Sequence, residues 1–374
     1  MRVCRAEAFL IRLPLRLTVS HALAARRESL NLLVKLSDDE GNEGWGEGVP
    51  RGYVTGEVAE TSFATLAAVL LPSLVGIGIE GPERVPLAIA GLIAPSPGNQ
   101  TGCCAAELAL LDLAGKAFGR SMAAWFGGRQ RETVRYSIVL PLLEPPEMVA
   151  FLAGVRGLGV RHLKIKAEGD RWPEALAEAR RALGDAVTIA VDANGSWDLD
   201  AAVAHLRRMD QYDVAWVEQP LPRGKEHEIP LLAGRSAIPI MADESLTTVE
   251  EAEQLIRQGG CGLFNLRISK LGGLAASHRI ARIAGDSGVR LQVGCQVGES
   301  SLLSAAGRLL AATLPGYEAL EGSYGMRLLE RDVTDEPFEF GPGGVAPVQL
   351  GPGLGVAVAP HRVAPLVLRS TVLS

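Results

Sequence analysis

The sequence predicts an α/β protein: a closed parallel barrel of alternating strands and helices, preceded by an α+β module. Three observations predict it. From Val134 onward, short apolar runs alternate with helical runs at near-equal spacing, giving eight strand-like segments. Before that point the order differs, with strands first and helices after. Finally, three successive apolar runs end in an acidic residue: VTIAVDAN at Asp192, VAWVEQP at Glu218 and IPIMADES at Asp243, spaced 26 and 25 residues apart. One strand, one helix and two loops need about that many residues, so each carboxylate holds the same place in a repeated unit.

The chain has 374 residues, which fits a barrel of roughly 200 to 250 residues plus a second module. Residues 2–49 read as strands, with a hairpin signal at Asp38–Gly44 and a loop-like stretch, Leu17–Arg27, that carries His21 and Arg26. PRGYVTGE at 50–57 reads as a second exposed segment. Residues 57–130 turn helical, ending in NQTGCCAAELALLDLAGKAFG, where apolar residues recur at three- and four-residue steps. Strands are expected near 134–140, 161–166, 187–192, 214–218, 238–243, 262–268, 289–294 and 317–321. No GxGxxG follows the first of them, which weakens a dinucleotide-binding alternative. The expected organisation is an α+β module over 1–130, a barrel over 131–330, and a Gly/Pro-rich segment over 331–374 that returns to the first module.

Apolar residues at 47% supply a large core, and charged residues at 21% argue against disorder. A net charge of −6 and 5% aromatics offer neither a basic surface nor a base-stacking platform, so no nucleic acid or membrane partner is expected. Five cysteines without a zinc-like spacing read as reduced thiols of a cytoplasmic protein, with Cys103 and Cys104 as core. The N-terminal run MRVCRAEAFLIRLPL, broken by charge and proline, resembles neither a signal peptide nor a membrane span.

One carboxylate at a strand end is most simply a helix cap. Three at matched positions, each directly after a run too apolar for stray charge, point to a divalent cation; oxygen ligands without His or Cys favour Mg2+, with Mn2+ as substitute. Upstream, HLKIK carries Lys164 and Lys166. Lysines are ordinarily surface residues, but strand alternation puts these two on one face, and the register that points one inward points both. A lysine among positive neighbours is expected below its reference pKa of about 10.4, where it can act as a base. A metal that binds a substrate carboxylate would stabilise the enediolate left when the α-proton departs.

The KxK pair, the D/E/D set within VDAN, VEQP and ADES, and Leu271-Gly272-Gly273 after the sixth strand resemble the enolase superfamily, specifically its muconate lactonizing enzyme subgroup. The likeness spans almost the whole chain, including YVTGE and Glu299 after the seventh strand. It implies a modified (β/α)7β TIM-like barrel under an α+β capping domain whose loops close over the substrate. It further implies Lys166 as base, Lys164 as its electrostatic partner, and Asp192, Glu218 and Asp243 as Mg2+ ligands. Glu299 would lie near the substrate or cap the helix ESSLLSAAGRLL. One position departs from the pattern: where the family carries N-x-K on the sixth strand, Asn265-Leu266 is followed by Arg267. A guanidinium stays protonated and makes a poor base. Lys270, three residues on, would face away from Arg267 if the strand continued.

Substrate contacts are expected from Asn265, from Glu321 and Ser323 on the last strand, and from cap-loop residues His21, Arg26, Arg51 and Tyr53; each of the last four read alone is an ordinary loop residue. Asp112 and Lys116 read as a helical ion pair, and Trp45 and Trp197 as packing. The expected function is Mg2+-dependent removal of the proton α to a carboxylate of a small molecule, leading to β-elimination or cycloisomerisation, in a cytoplasmic homo-oligomer. The alternatives are an epimerase or racemase of dipeptides or amino-acid derivatives, and a non-catalytic carboxylate-binding relative.

Overall fold

In a computed structural model the chain is described from residue 1 to 374, apart from residues 22, 23, 96, 168, 170 and 337 and the side chains of residues 20, 21, 24 and 25. Three antiparallel strands come first: β1 (Val3–His21), β2 (Ala24–Asp38) and β3 (Glu43–Gly48). The β1–β2 ladder continues to Val19–Arg26 and His21–Ala24, so Leu17–Arg27 is the end of a long hairpin and not a loop. A register shift between Pro14 and Val19 is what hid this: proline cannot donate to a ladder, and pairing resumes beyond it. His21 closes β1, and its side chain lies outside the described residues. The segment at 50–57 is not exposed throughout either, since Arg51, Val54 and Glu57 are buried.

The long helix α1 (Gln100–Ala117) lies against β3 because of the sequence EGWGEG. A Cβ on Gly44, Gly46 or Gly48 would meet the carbonyl oxygens of Ala109, Ala105 and Thr101 at 2.3, 2.0 and 2.1 Å. Glycine at every second position thus lets strand and helix backbones touch. The alternate residues, Trp45 and Glu47, point to the other side.

The expected strand at 134–140 is split. β4 (Thr133–Arg135) pairs outside the barrel with β13 (Val345–Pro347), and only β5 (Ile138–Leu140) enters it. Tyr136 N–H donates to Gly344 and Ser137 N–H to Leu320, so the backbone changes partners between the two. The barrel continues as β6 (His162–Lys166), β7 (Thr188–Asp192), β8 (Val214–Glu218), β9 (Ile240–Ala242), β10 (Cys261–Leu266), β11 (Arg290–Val293) and β12 (Ala319–Leu320), all parallel and in chain order. Ser137 donates to Leu320 from both backbone and hydroxyl, tying β12 to the segment that leads into β5. Among the covering helices are α2 (Pro145–Leu158), α3 (Trp172–Leu183), α4 (Leu199–Met209), α5 (Val249–Gln258), α6 (Leu274–Asp286) and α7 (Ser301–Thr313). After the barrel, β14 (Val367–Leu373) returns to pair antiparallel with β1.

Inside the barrel Ala190, Trp216, Met241, Leu263 and Ala319 form a separate apolar layer. Two residues beyond each stand Asp192, Glu218, Asp243, Asn265 and Glu321. Strand alternation therefore stacks a polar layer directly on an apolar floor.

Cap and barrel are joined by buried carboxylates. Glu47 accepts from the Ser300 and Leu303 N–H groups and the Ser300 hydroxyl, at the start of α7. Glu107, in the middle of α1, accepts from Leu274 and Ala275 N–H at 2.6 and 3.1 Å, at the start of α6. These are unpaired donors of a helix first turn, where the helix dipole also favours negative charge.

Candidate active site

Lys166, Asp192 and Glu218 are register partners on β6, β7 and β8, so three side chains leave the sheet in one row. Lys164 lies one step below, and Asp243 follows the end of β9. All three carboxylates are wholly buried. Lys164 Nζ lies 2.7 Å from Glu321 Oε1, 3.3 Å from Glu218 Oε2 and 3.5 Å from Asp192 Oδ2. Lys166 Nζ donates to Asp192 Oδ2 at 2.8 Å and to Asn194 Oδ1 at 2.5 Å.

On the opposite side β10 ends at Leu266, and Arg267 is the N-cap of a one-turn helix, Ile268–Leu271. This turn corrects the expectation for Lys270. The chain curls rather than running on, and Lys270 Nζ donates to Asp243 Oδ1 at 2.8 Å while Arg267 Nη2 binds Asp243 Oδ2. The two cations converge on one carboxylate. Arg267 Nη2 also lies 3.5 Å from Glu218 Oε1. Glu218 further accepts from Asn265 at 2.8 Å and Gln292 at 3.2 Å. The Asn265 amide has its room because Gly294 lacks a Cβ, which would lie 2.2 Å from Asn265 Oδ1.

Burial alone would raise Asp192, but Lys166 and Lys164 hold its carboxyl well below the usual range. Burial likewise opposes ionisation of Asp243, and Arg267 and Lys270 outweigh it. Glu218 goes the other way. Burial, with Asp192, Asp243 and Glu321 around it, pushes it up to about 8 despite Lys164. The expectation that Lys166 sits below the ordinary lysine value is corrected: burial and Lys164 lower it, yet Asp192 more than compensates and its pKa is raised. Arg267, against burial, is raised well above its ordinary value by Asp243, Glu244 and Glu218.

Two site residues escaped the sequence reading. Asn194 adopts a left-handed conformation (φ 46°), accepts from Lys166 and donates to Glu244 Oε1 at 3.0 Å. Asparagine is one of the few residues that tolerates this φ, and its place directly after VDA was the available signal. Glu244 is buried and its Oε2 has no hydrogen-bond partner; burial, with Asp243 beside it, pushes its carboxyl up to about 7.

Of the expected substrate contacts, Glu321 is in the cluster, on Lys164. Ser323 is turned from it: its hydroxyl donates to Tyr136 at 2.7 Å and accepts from Arg308. Glu299 is partly exposed, accepts from Gln296 N–H and the Ser304 hydroxyl, and is pushed up to about 8 by burial and Glu47; the N-cap of α7 is Ser300. From the cap, Tyr53 lies under the Arg26 guanidinium, 5.2 Å from ring centre. Arg51 is committed to structure, donating to Pro50, Ser29 and Val297. Asp112 binds Lys116 at 2.7 Å and also accepts from Trp45 and Leu354 N–H, while Trp45, Trp197, Cys103 and Cys104 lie in the core.

The donor set has the chemistry of a hard divalent cation site: three buried carboxylates on adjacent strands, with Glu218 short of positive charge. Among the described residues no three acidic, His or Cys side chains form a ready-made metal cage. Lys164 and Arg267 hold the space between the carboxylates as bridging cations.

A family model described as the mandelate racemase / muconate lactonizing enzyme N-terminal domain matches residues 5–127, and one described as enolase C-terminal domain-like matches residues 147–362. The chain is 32% identical to an N-succinylamino acid racemase of Thermus thermophilus, covering 99% of this chain and 98% of the relative. It is 30% identical to muconate cycloisomerase 1 of Pseudomonas putida, covering 89% of each. A solved dipeptide epimerase from Cytophaga hutchinsonii, complexed with Mg and the dipeptide D-Ala-L-Val, superposes with a TM-score of 0.88 at 25% identity over 100% of both chains. No helix among the described residues is long and apolar enough to cross a membrane.

Proposed function

The chain belongs to the mandelate racemase/muconate lactonizing enzyme group of the enolase superfamily, and from that premise we propose a one-base enzyme in which Lys166 removes the proton α to a substrate carboxylate. Membership of this superfamily implies dependence on a divalent metal. Asp192, Glu218 and Asp243 would hold it, as Mg2+ or Mn2+, and when bound it supplies positive charge to a substrate carboxylate and to the enediolate.

The remaining work falls to side chains of this protein. Lys166 Nζ takes the α-proton, and the Cα–H electron pair moves into the carboxylate to give an enediolate. Asn194, fixed by Glu244, orients the amine through its Oδ1. Lys164, charged and anchored by Glu321, adds a fixed positive charge beneath it. Asp192 is what keeps Lys166 protonated, so engaging Asp192 elsewhere frees the base. The enediolate then expels a β-leaving group or takes part in ring formation, with the proton returned from Lys166 Nζ where the reaction requires one.

The observation that carries this reading is Arg267. A guanidinium bound to Asp243 and held above its ordinary pKa cannot take a proton from the second face of the α-carbon. A second reading, racemase or epimerase, is favoured by the likeness to an N-succinylamino acid racemase along nearly the whole chain. Proton NMR of separate enantiomers of a carboxylate panel, in deuterated buffer with Mg2+, decides between them. The one-base reading expects α-exchange of one enantiomer alone. Comparable exchange of both assigns the protein to racemisation, and no exchange across the panel defeats both readings.

A further inference from the structure

The same alternation that turns Lys164 and Lys166 inward turns Ile165 outward, into the layer between the barrel and its helices. There, Ile165, the segment after β5 with Leu143, Met148 of α2 and Ala175 of α3 enclose a cavity of about 300 Å3 whose lining also includes Lys166. That volume is at the small end of the range for small-molecule pockets, ~300–1,000 Å3. The cavity and the charge cluster meet at one residue. Lys166 belongs to both, with Nζ among the carboxylates and its side chain forming part of the cavity lining.

Its polarity is informative. The charges on its rim are matched within the protein: Arg171 pairs with Glu144 at 2.8 Å and lies 3.8 Å from Glu174. The Arg171–Glu144 pair is solvent-exposed and holds its charges only weakly, whereas the inner lining of Ile165, Leu143, Met148 and Ala175 offers apolar contact to an uncharged substituent. A molecule whose α-carbon is presented to Lys166 can place one substituent here and keep its carboxylate among the polar residues of the mouth.

We propose that this cavity is the side-chain pocket of the substrate, and that the substrate is an α-substituted carboxylic acid with an uncharged aliphatic substituent of amino-acid size. The proposal rests on Lys166 being the base, as in the reading above. Binding and turnover separate the two. Titration calorimetry with Mg2+ present, on the N-acetyl derivatives of alanine, 2-aminobutyrate, norvaline and norleucine, reads the pocket. Affinity is expected to rise about fourfold per methylene, about sixtyfold across the series, as buried methylenes do. Nα-acetylornithine, which carries a positive charge on its side-chain amine, should not share the rise. Ala175→Phe fills the cavity from α3 and should reduce the norleucine-to-alanine ratio to near one; Ala175→Leu repeats the test if the larger side chain prevents folding. A flat series in the wild-type protein, or a gradient undiminished in a folded Ala175 variant, overturns the pocket. α-Proton exchange of the same compounds reads the base. A chain-length gradient without exchange in any of them leaves the pocket standing and removes Lys166 as base. Exchange that Lys166→Ala abolishes, with no gradient, does the reverse.

Discussion

At the barrel mouth, Asp192, Glu218 and Asp243 are met by the side-chain cations Lys164, Lys166, Arg267 and Lys270. At the seam between cap and barrel, Glu47 and Glu107 are equally buried but accept, among the described residues, from backbone N–H, hydroxyl and amide groups alone. The ionisation of the two sets differs at two of the three mouth carboxylates, since Glu218, like the seam, is raised, to about 8. Asp192 and Asp243 are held below the usual carboxylate range, whereas burial raises Glu47 and pushes Glu107 up to about 7. A side-chain cation can be exchanged for a ligand without moving the backbone; a helix first turn cannot. The mouth is built for rearrangement and the seam for position.

The contrast breaks most visibly if the mouth is not where chemistry happens. Lys166→Ala should lower α-proton exchange by about a hundred- to ten-thousand-fold while denaturant unfolding stays close to wild type. Full exchange in that variant would remove the distinction between the regions. Next in size, Glu218→Gln should weaken Mg2+ binding by calorimetry by about a hundredfold or more, because a ligand is lost outright. Unchanged affinity places the metal elsewhere.

Seam substitutions should read out in stability instead. Glu47→Ala leaves the Ser300 and Leu303 N–H groups and the Asn31 amide without their acceptor, a loss of about 2–4 kcal/mol in urea unfolding. Intact stability with lost metal binding would show that Glu47 serves the mouth. The smallest expected effect is a pH slope. Glu107 has a folded-state pKa raised to about 7 from 4.5. Its stabilisation is therefore complete below about pH 4.5 and lost as pH rises through about 7, at about 1 kcal/mol per pH unit near the middle of that window. Glu107→Gln should flatten that part of the stability profile, and a profile identical to wild type would mean that Glu107 does not titrate there.

Much of the mouth was legible because its residues repeat. Asp192, Glu218 and Asp243 recur at the interval of one β/α unit, and each ends a run whose apolarity makes a charge conspicuous. Lys164 and Lys166 are tied to one face by the strand period. What could not be read depends on where the backbone stops being regular. Lys270 reaches Asp243 only because β10 ends at Leu266 and the chain curls into one helical turn. Glu107 left a trace, an acid surrounded by apolar residues in CCAAELALL, but its partner is a helix N-terminus 167 positions away. Glu47 sits among glycines whose meaning needs α1 in place beside them. The barrel fold, a property of period, was plain; the start of β5 at Ile138 was hidden because one apolar run serves two sheets.

The pairing of β14 with β1 has a consequence for the order in which the protein is made. The cap sheet runs β14-β1-β2-β3, so its interior strand β1 is synthesised before the barrel while one of its neighbours follows the entire barrel. On the ribosome β1 must wait as an exposed edge until every barrel strand has emerged. The barrel mouth can therefore assemble beneath an unfinished cap, and the enclosing module is the part completed last.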